Sequence, residues 1–167
     1  MTLHELNILS AEERINELTK CCGAAAWVNK MMHCFPVDDL VELLECAEEE
    51  WYRCNEADWK EAFTHHPKIG DVASLTKKFA ATAQWASGEQ SSVSVANKET
   101  IEALANGNDL YEAKFGYIFI VCATGKSAAE MLCMLEDRLS NNEDVEIKIA
   151  ADEQNKITKL RLEKLLN

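Results

Sequence analysis

Apolar residues recur at steps of three and four along most of this chain, the spacing that lines one face of an α-helix. Ser10 followed by Glu13 forms a capping box, and Ala11, Ile15, Leu18 and Cys22 then line one side before Gly23, predicting a helix over about 11–22. Ala24 to Cys34 predicts a second helix, with Trp27, Met31 and Cys34 on one side and a stop before Pro36. Asp38 or Asp39 can cap a third, whose stripe is Leu40, Leu44, Ala47 and Trp51 while Glu42, Glu45, Glu48, Glu49 and Glu50 face water. A shorter amphipathic run covers about 56–64, and the pattern then breaks at His65-His66-Pro67-Lys68-Ile69-Gly70-Asp71. Pro67 pushes His66 away from helical geometry and Gly70 permits a turn, so this stretch predicts a loop between helices.

The helical pattern resumes over about 80–86 and 93–104, with Asn106-Gly107-Asn108 as a stop. Phe115 to Ala123 is continuous in apolar, β-branched and aromatic residues, and periodicity leaves a buried strand, an extended segment and a buried helix open. Ser127 caps a helix with the stripe Ala128, Met131, Leu132, Leu135 and Leu139, and Asn142 opens a long last helix. Without internal repeat, linker or low-complexity segment, the expectation is an all-α fold: one single-domain multi-helix bundle over residues 1–167.

Composition narrows this further. A hydrophobic share of 47% supplies a core and excludes a mainly disordered or collagen-like chain. Against 17 Lys and Arg stand 29 Asp and Glu, a net charge of −12 that repels a phosphate backbone, so no nucleic-acid partner is expected. No run approaches the ~18 apolar residues of a membrane span, so no membrane partner is expected either. Met1 to Glu5 lacks the start of a signal peptide, and Leu165-Leu166-Asn167 is not a peroxisomal tripeptide. The expected location is cytoplasmic. Seven cysteines (21, 22, 34, 46, 54, 122 and 133), odd in number and two of them adjacent, then read as reduced thiols acting as small apolar residues. They show neither a Cys-x-x-Cys pair nor zinc-finger spacing, and no metal is expected.

Candidate chemistry is sparse. His65 and His66 lie on a constrained loop, and an imidazole suits proton transfer near neutral pH, although a loop histidine also serves merely to cap a helix end. Glu89 and Gln90, after Trp85-Ala86-Ser87-Gly88, offer complementary acceptors and donors to a polar ligand, or form an exposed helix terminus. Arg161 falls in step with Ile157 and Leu165, where its fork can pair with a carboxylate or its stem can snorkel along the core. Arg138 reads as a structural or interface residue. A phosphate loop, a dinucleotide fingerprint, a nucleophile elbow and a His-Glu-x-x-His helix are all absent.

In order, the chain shows His66-Pro67-Lys68-Ile69-Gly70, Glu89-Gln90, Lys114-Phe115-Gly116-Tyr117-Ile118-Phe119-Ile120, Gly125-Lys126-Ser127, Arg138-Leu139 and Ile157-Thr158-Lys159-Leu160-Arg161-Leu162. This succession resembles the 2-oxo-4-hydroxy-4-carboxy-5-ureidoimidazoline (OHCU) decarboxylase family over about residues 5–166. The resemblance implies an all-helical homodimer, a lyase that converts OHCU to S-allantoin and CO2 in the third step of urate degradation, with no cofactor. It implies His66 as proton donor, Pro67 as its substrate-contacting neighbour, and Glu89 and Gln90 as the pair that binds substrate and orients the histidine. Phe119, Ile120, Val121, Cys122 and Ala123 match a pocket-lining segment, and Arg161 the basic residue near the substrate. The family usually has Ser three residues before the Glu, where this chain has Ala86; Ser87 is the hydroxyl next door.

Two other readings compete: a metal-dependent hydrolase using His65, His66 and Asp71, and a non-enzymatic helical binding module with the Arg161 stripe as its surface. The implied substrate is an anion, so the −12 balance calls for local positive charge, from Arg161 and from His66 when protonated.

Overall fold

Local capping sets where most helices begin. A computed structural model describes residues 1–68, 71–83 and 90–167, and of residues 78, 80–83 and 90–97 the backbone alone. Among the described residues there are nine α-helices and no strand. They are α1 (Leu3–Ile8), α2 (Ala11–Cys21), α3 (Ala25–Met31), α4 (Leu40–Tyr52), α5 (Glu56–Thr64), α6 (Val72–Ala83), α7 (Gln90–Phe115), α8 (Ala128–Leu139) and α9 (Glu143–Leu165). Both halves of the Ser10/Glu13 and Ser127/Glu130 capping boxes form, Asp39 caps α4, and Asn142 accepts from the N–H of Val145 at the start of α9. The six residues of α1, opened by a Thr2/Glu5 box, are too few to show a period.

Several faces and ends differ from expectation. In α2 the inward side carries Leu18 and Cys21, with Cys22 just beyond, while Ala11 and Ile15 are exposed. Half-buried Arg14 sets this side, because its guanidinium donates to the carbonyls of Leu6, Asn7 and Leu9 and closes the end of α1. The α3 helix stops at Met31, and residues 32–34 form a turn with the N–H groups of His33 and Cys34 bonded to Lys30 and Met31. In α4 the buried stripe is Leu43, Ala47 and Trp51, with Leu40 exposed, since steps of four from Trp51 reach Leu43. The α6 helix starts well before the expected position because Asp71 accepts from both the N–H and the hydroxyl of Ser74, each at 2.7 Å. Residues 84–86 of that expected run lie outside the described residues.

Asn106-Gly107-Asn108 does not end α7. A β-carbon on Gly107 would stand 2.5 Å from Cδ2 of Leu135 in α8, so the glycine permits close helix packing rather than a stop. Asn108 donates its amide to the carbonyl of Leu104 at 2.9 Å and stays within the helix. Termination falls at Gly116, whose φ of +80 suits glycine and whose N–H bonds to the carbonyl of Glu112. Residues 116 and 117 form a bend and 118–123 carry no regular secondary structure, so the apolar run is neither a strand nor a helix.

Contacts group the residues into two units: Met1–His66 with Ile120–Cys122 and Ile147–Asn167, and Pro67–Phe119 with Ala123–Glu146. The first buries Leu6, Leu18, Trp27, Met31, Leu43, Trp51, Phe63 and Leu162. Its indole N–H groups find carbonyls: Trp27 that of Ala47, Trp51 that of Ala151, and Trp59 that of Trp51. In the second, fully buried Tyr111 packs on Phe115, Tyr117 and Phe119, and Arg138 lies 4.5 Å above the Phe119 ring. Arg138 also donates through Nε and pairs through Nη2 with Oε1 of Glu146, at 2.7 and 2.6 Å. That carboxylate accepts from Tyr111 and Asn141 as well, so the buried charges are matched. Arg138 is thus structural, as its sequence position suggested. No helix among the described residues is long and apolar enough to cross a membrane.

Candidate functional site

The first unit presents the best-defined polar cluster around His66. The chain leaves α5 through two turn-type bonds, His65 N–H to Ala62 and His66 N–H to Phe63, which set both histidines on the last turn. The exposed His65 ring packs where a side chain on Gly23 would be: a β-carbon there would stand 2.3 Å from its Cγ. His66 is half-buried, and its Nε2 lies 2.5 Å from Oε1 of Gln154 on α9. The Gln154 amide in turn donates to the Thr158 hydroxyl oxygen at 3.1 Å, and both residues are buried. Burial holds the His66 pKa below the usual imidazole value; the bond to Gln154 opposes this, while the nearby positive charges of Arg161 and His65 add to it.

Arg161 is half-buried and near enough for its charge to act on His66. Its Nη1 donates to the carbonyl of Cys21 at 3.2 Å and, at 3.5 Å, to that of Lys20, at the negative end of α2. One position before Gln154, buried Glu153 accepts from the N–H of Cys122 at 2.7 Å through Oε2 and pairs with Lys156 at 2.7 Å through Oε1. Consecutive residues of α9 therefore hold the backbone of Cys122 and the ring of His66. Ile120 and Cys122 are buried, and Val121 is half-buried.

The remaining sequence candidates belong to the second unit or lie outside the described residues. Phe119 packs in the aromatic group of the second unit, which also contains Pro67, exposed, and Ala123, half-buried. Gln90 opens α7. Ser87 and Glu89 lie outside the described residues. Asp71 is occupied as the cap of α6, and its bonds to Ser74 hold its carboxyl below the usual range. Among the described residues no three His, Cys, Asp or Glu side chains gather as metal ligands would.

Sequence reasoning missed Gln154, Thr158 and Glu153. A signal existed: Ile147, Ala151, Gln154, Thr158 and Leu162 follow each other at helical steps and are all buried, so two polar side chains sit on the core stripe of α9. The expected stripe of Ile157, Arg161 and Leu165 is only half-buried and flanks it.

Comparison with known proteins concerns the chain as a whole. A family model described as OHCU decarboxylase matches residues 7–163, taking in residues of both units. The uric acid degradation bifunctional protein TTL of Arabidopsis thaliana is 37% identical over 91% of this chain, which spans only 47% of that protein's length. The 2-oxo-4-hydroxy-4-carboxy-5-ureidoimidazoline decarboxylase of Haloferax volcanii is 26% identical over 97% of this chain and 94% of its own. Among solved structures, an OHCU decarboxylase crystallised in the presence of (S)-allantoin is 37% identical with a TM-score of 0.70, covering 90% of this chain and 97% of that one. An (S)-allantoin synthase, 14% identical with a TM-score of 0.72, covers 98% of this chain and 54% of that one and shares the fold.

Proposed function

Because the chain belongs to the OHCU decarboxylase family, we infer that it decarboxylates OHCU to S-allantoin and CO2 as a lyase of urate degradation, with His66 as the proton donor. The observation that carries the role of His66 is its ring, half-buried, fixed at one nitrogen by a buried amide and close to the charge of Arg161.

The chemistry suits these groups. When CO2 leaves the quaternary carbon, the electron pair of the broken bond passes into the adjacent C=N, whose nitrogen takes a proton. The substrate supplies its own electron sink, so the reaction calls for no organic cofactor. Tautomerisation then returns a proton to the ureido-bearing carbon, and the face on which that proton arrives sets the product's handedness. A single positioned acid on one face is sufficient for selectivity. Burial lowers the His66 pKa and so favours the neutral ring in the free chain. Binding an anion beside it favours the charged form, so the substrate itself recruits the proton. Arg161 supplies fixed positive charge for that anion, and the family resemblance adds the roles of Gln90, Glu89 and Ser87 as further polar contacts and of Pro67 and residues 119–123 as apolar lining. A water-poor lining disfavours the free carboxylate and speeds its loss.

The proposal extends to one domain working as a homodimer in the cytoplasm, for which the family resemblance and the seven free thiols speak. The experiment generates OHCU afresh with urate oxidase and the hydrolase that follows it, adds the purified chain, and follows allantoin by circular dichroism. The expected result is S-allantoin formed faster than by spontaneous decay. Unchanged decay, as a binding module would give, contradicts the proposal, as does activity lost and regained with a stoichiometric metal.

A further inference from the structure

We propose that Gln154, held in place by Thr158, is the positioning residue for His66: it locks the imidazole as the Nε2–H form and leaves Nδ1 as the nitrogen that passes its proton to the substrate. This rests on His66 being the acid. An amide oxygen can only accept, so at 2.5 Å from Oε1 the ring's Nε2 must carry a hydrogen. The opposite amide orientation would place the NH2 group against Nε2 and demand a hydroxyl proton from Thr158.

One feature selects the first arrangement. An acid passes through a charged state in which both ring nitrogens carry hydrogens. Only the amide oxygen is a partner for Nε2 in both states, so the Gln154 contact persists through the proton's arrival and departure while Nδ1 alone changes. Gln154 is fully buried and Thr158 nearly so, which strengthens the bond between them. Thr158, Gln154 and His66 are thus joined by two hydrogen bonds in series that end on the reacting ring.

Long-range proton–nitrogen correlation spectra of the 15N-labelled full chain read the ring directly. In the unsubstituted protein at alkaline pH, His66 is expected to show a protonated Nε2 and a bare Nδ1. Gln154→Leu should lower the His66 titration midpoint and shift the acid limb of the kcat profile the same way, reducing kcat by about tenfold or more with little change in KM. Gln154→Glu places an opposite charge on the ring and should raise that midpoint by about 1–3 units. Thr158→Val, which leaves Gln154 in place, should move both readouts in the direction of the leucine variant but less far. A bare Nε2 in the unsubstituted protein, or titration curves that coincide in all four chains, overturns the proposal. The acid reading fails separately: it falls if His66→Asn keeps S-selective turnover, whatever the ring spectra show.

Discussion

The β-carbon that Gly23 lacks decides where the histidine pair can sit. Placed there, it would meet Cγ, Cδ2 and Cβ of His65 at 2.3, 2.5 and 2.7 Å, and His65 is tied to the end of α5 through its own N–H. Gly23→Ala should therefore displace His65 and, through the next peptide, His66. Overpacking of this kind costs about 1–3 kcal/mol, to be read from urea unfolding, and kcat should fall with it. Burial makes a second prediction. With the folded His66 pKa below the unfolded value, the unfolded chain binds more protons in the window beneath about 6.5, so acid weakens the fold there. Denaturation between about pH 7.5 and about pH 5.5 should show a steeper loss for the natural chain than for His66→Asn. His66 was legible in the sequence because Pro67 and the break in pattern are local. The close approach at Gly23 was not, since a glycine after a helix reads as punctuation, and Gln154 was hidden among the polar neighbours of a long helix.

Helices that begin at capping boxes were legible for the same reason: Ser10 with Glu13 and Ser127 with Glu130 carry their signal within four residues. The α7 helix was misread where a tertiary contact overrode a local one. Gly107 costs the helix about 1 kcal/mol relative to alanine, and its contact with fully buried Leu135 repays this by bringing α7 against α8. Lys114, near the end of α7, adds to that pairing by donating to the carbonyls of Leu139, the last residue of α8, and of Asn141 just beyond it. The two effects separate in a double-mutant cycle. Gly107→Ala should destabilise the natural chain, because the clash of about 1–3 kcal/mol outweighs the gain in helix propensity. In a Leu135→Ala background, where the clash is gone, the same change should stabilise by about 1 kcal/mol; equal effects in both backgrounds would show that Gly107 has no packing role.

Across the whole molecule the excess of 12 negative charges opposes the approach of an anionic substrate, while Arg161 and a protonated His66 act over a few ångströms. Salt distinguishes the two. Raising ionic strength from about 0.01 to about 0.15 M shortens the screening length from about 30 to about 8 Å, which removes the distant repulsion and leaves the local attraction. At fixed pH, kcat/KM should accordingly rise with salt over this range, where an enzyme that steers anions by a positive surface would lose efficiency. The charge balance was legible in the sequence, and so was the family; the supports that α9 gives to His66 and Cys122 were not, because they join residues far apart along the chain. The handedness of the product reports the proposed role of His66 as proton donor. With freshly generated OHCU, the natural chain should yield S-allantoin, while His66→Asn should add nothing to the spontaneous rate and leave racemic allantoin. Full-rate, S-selective turnover by His66→Asn would contradict it.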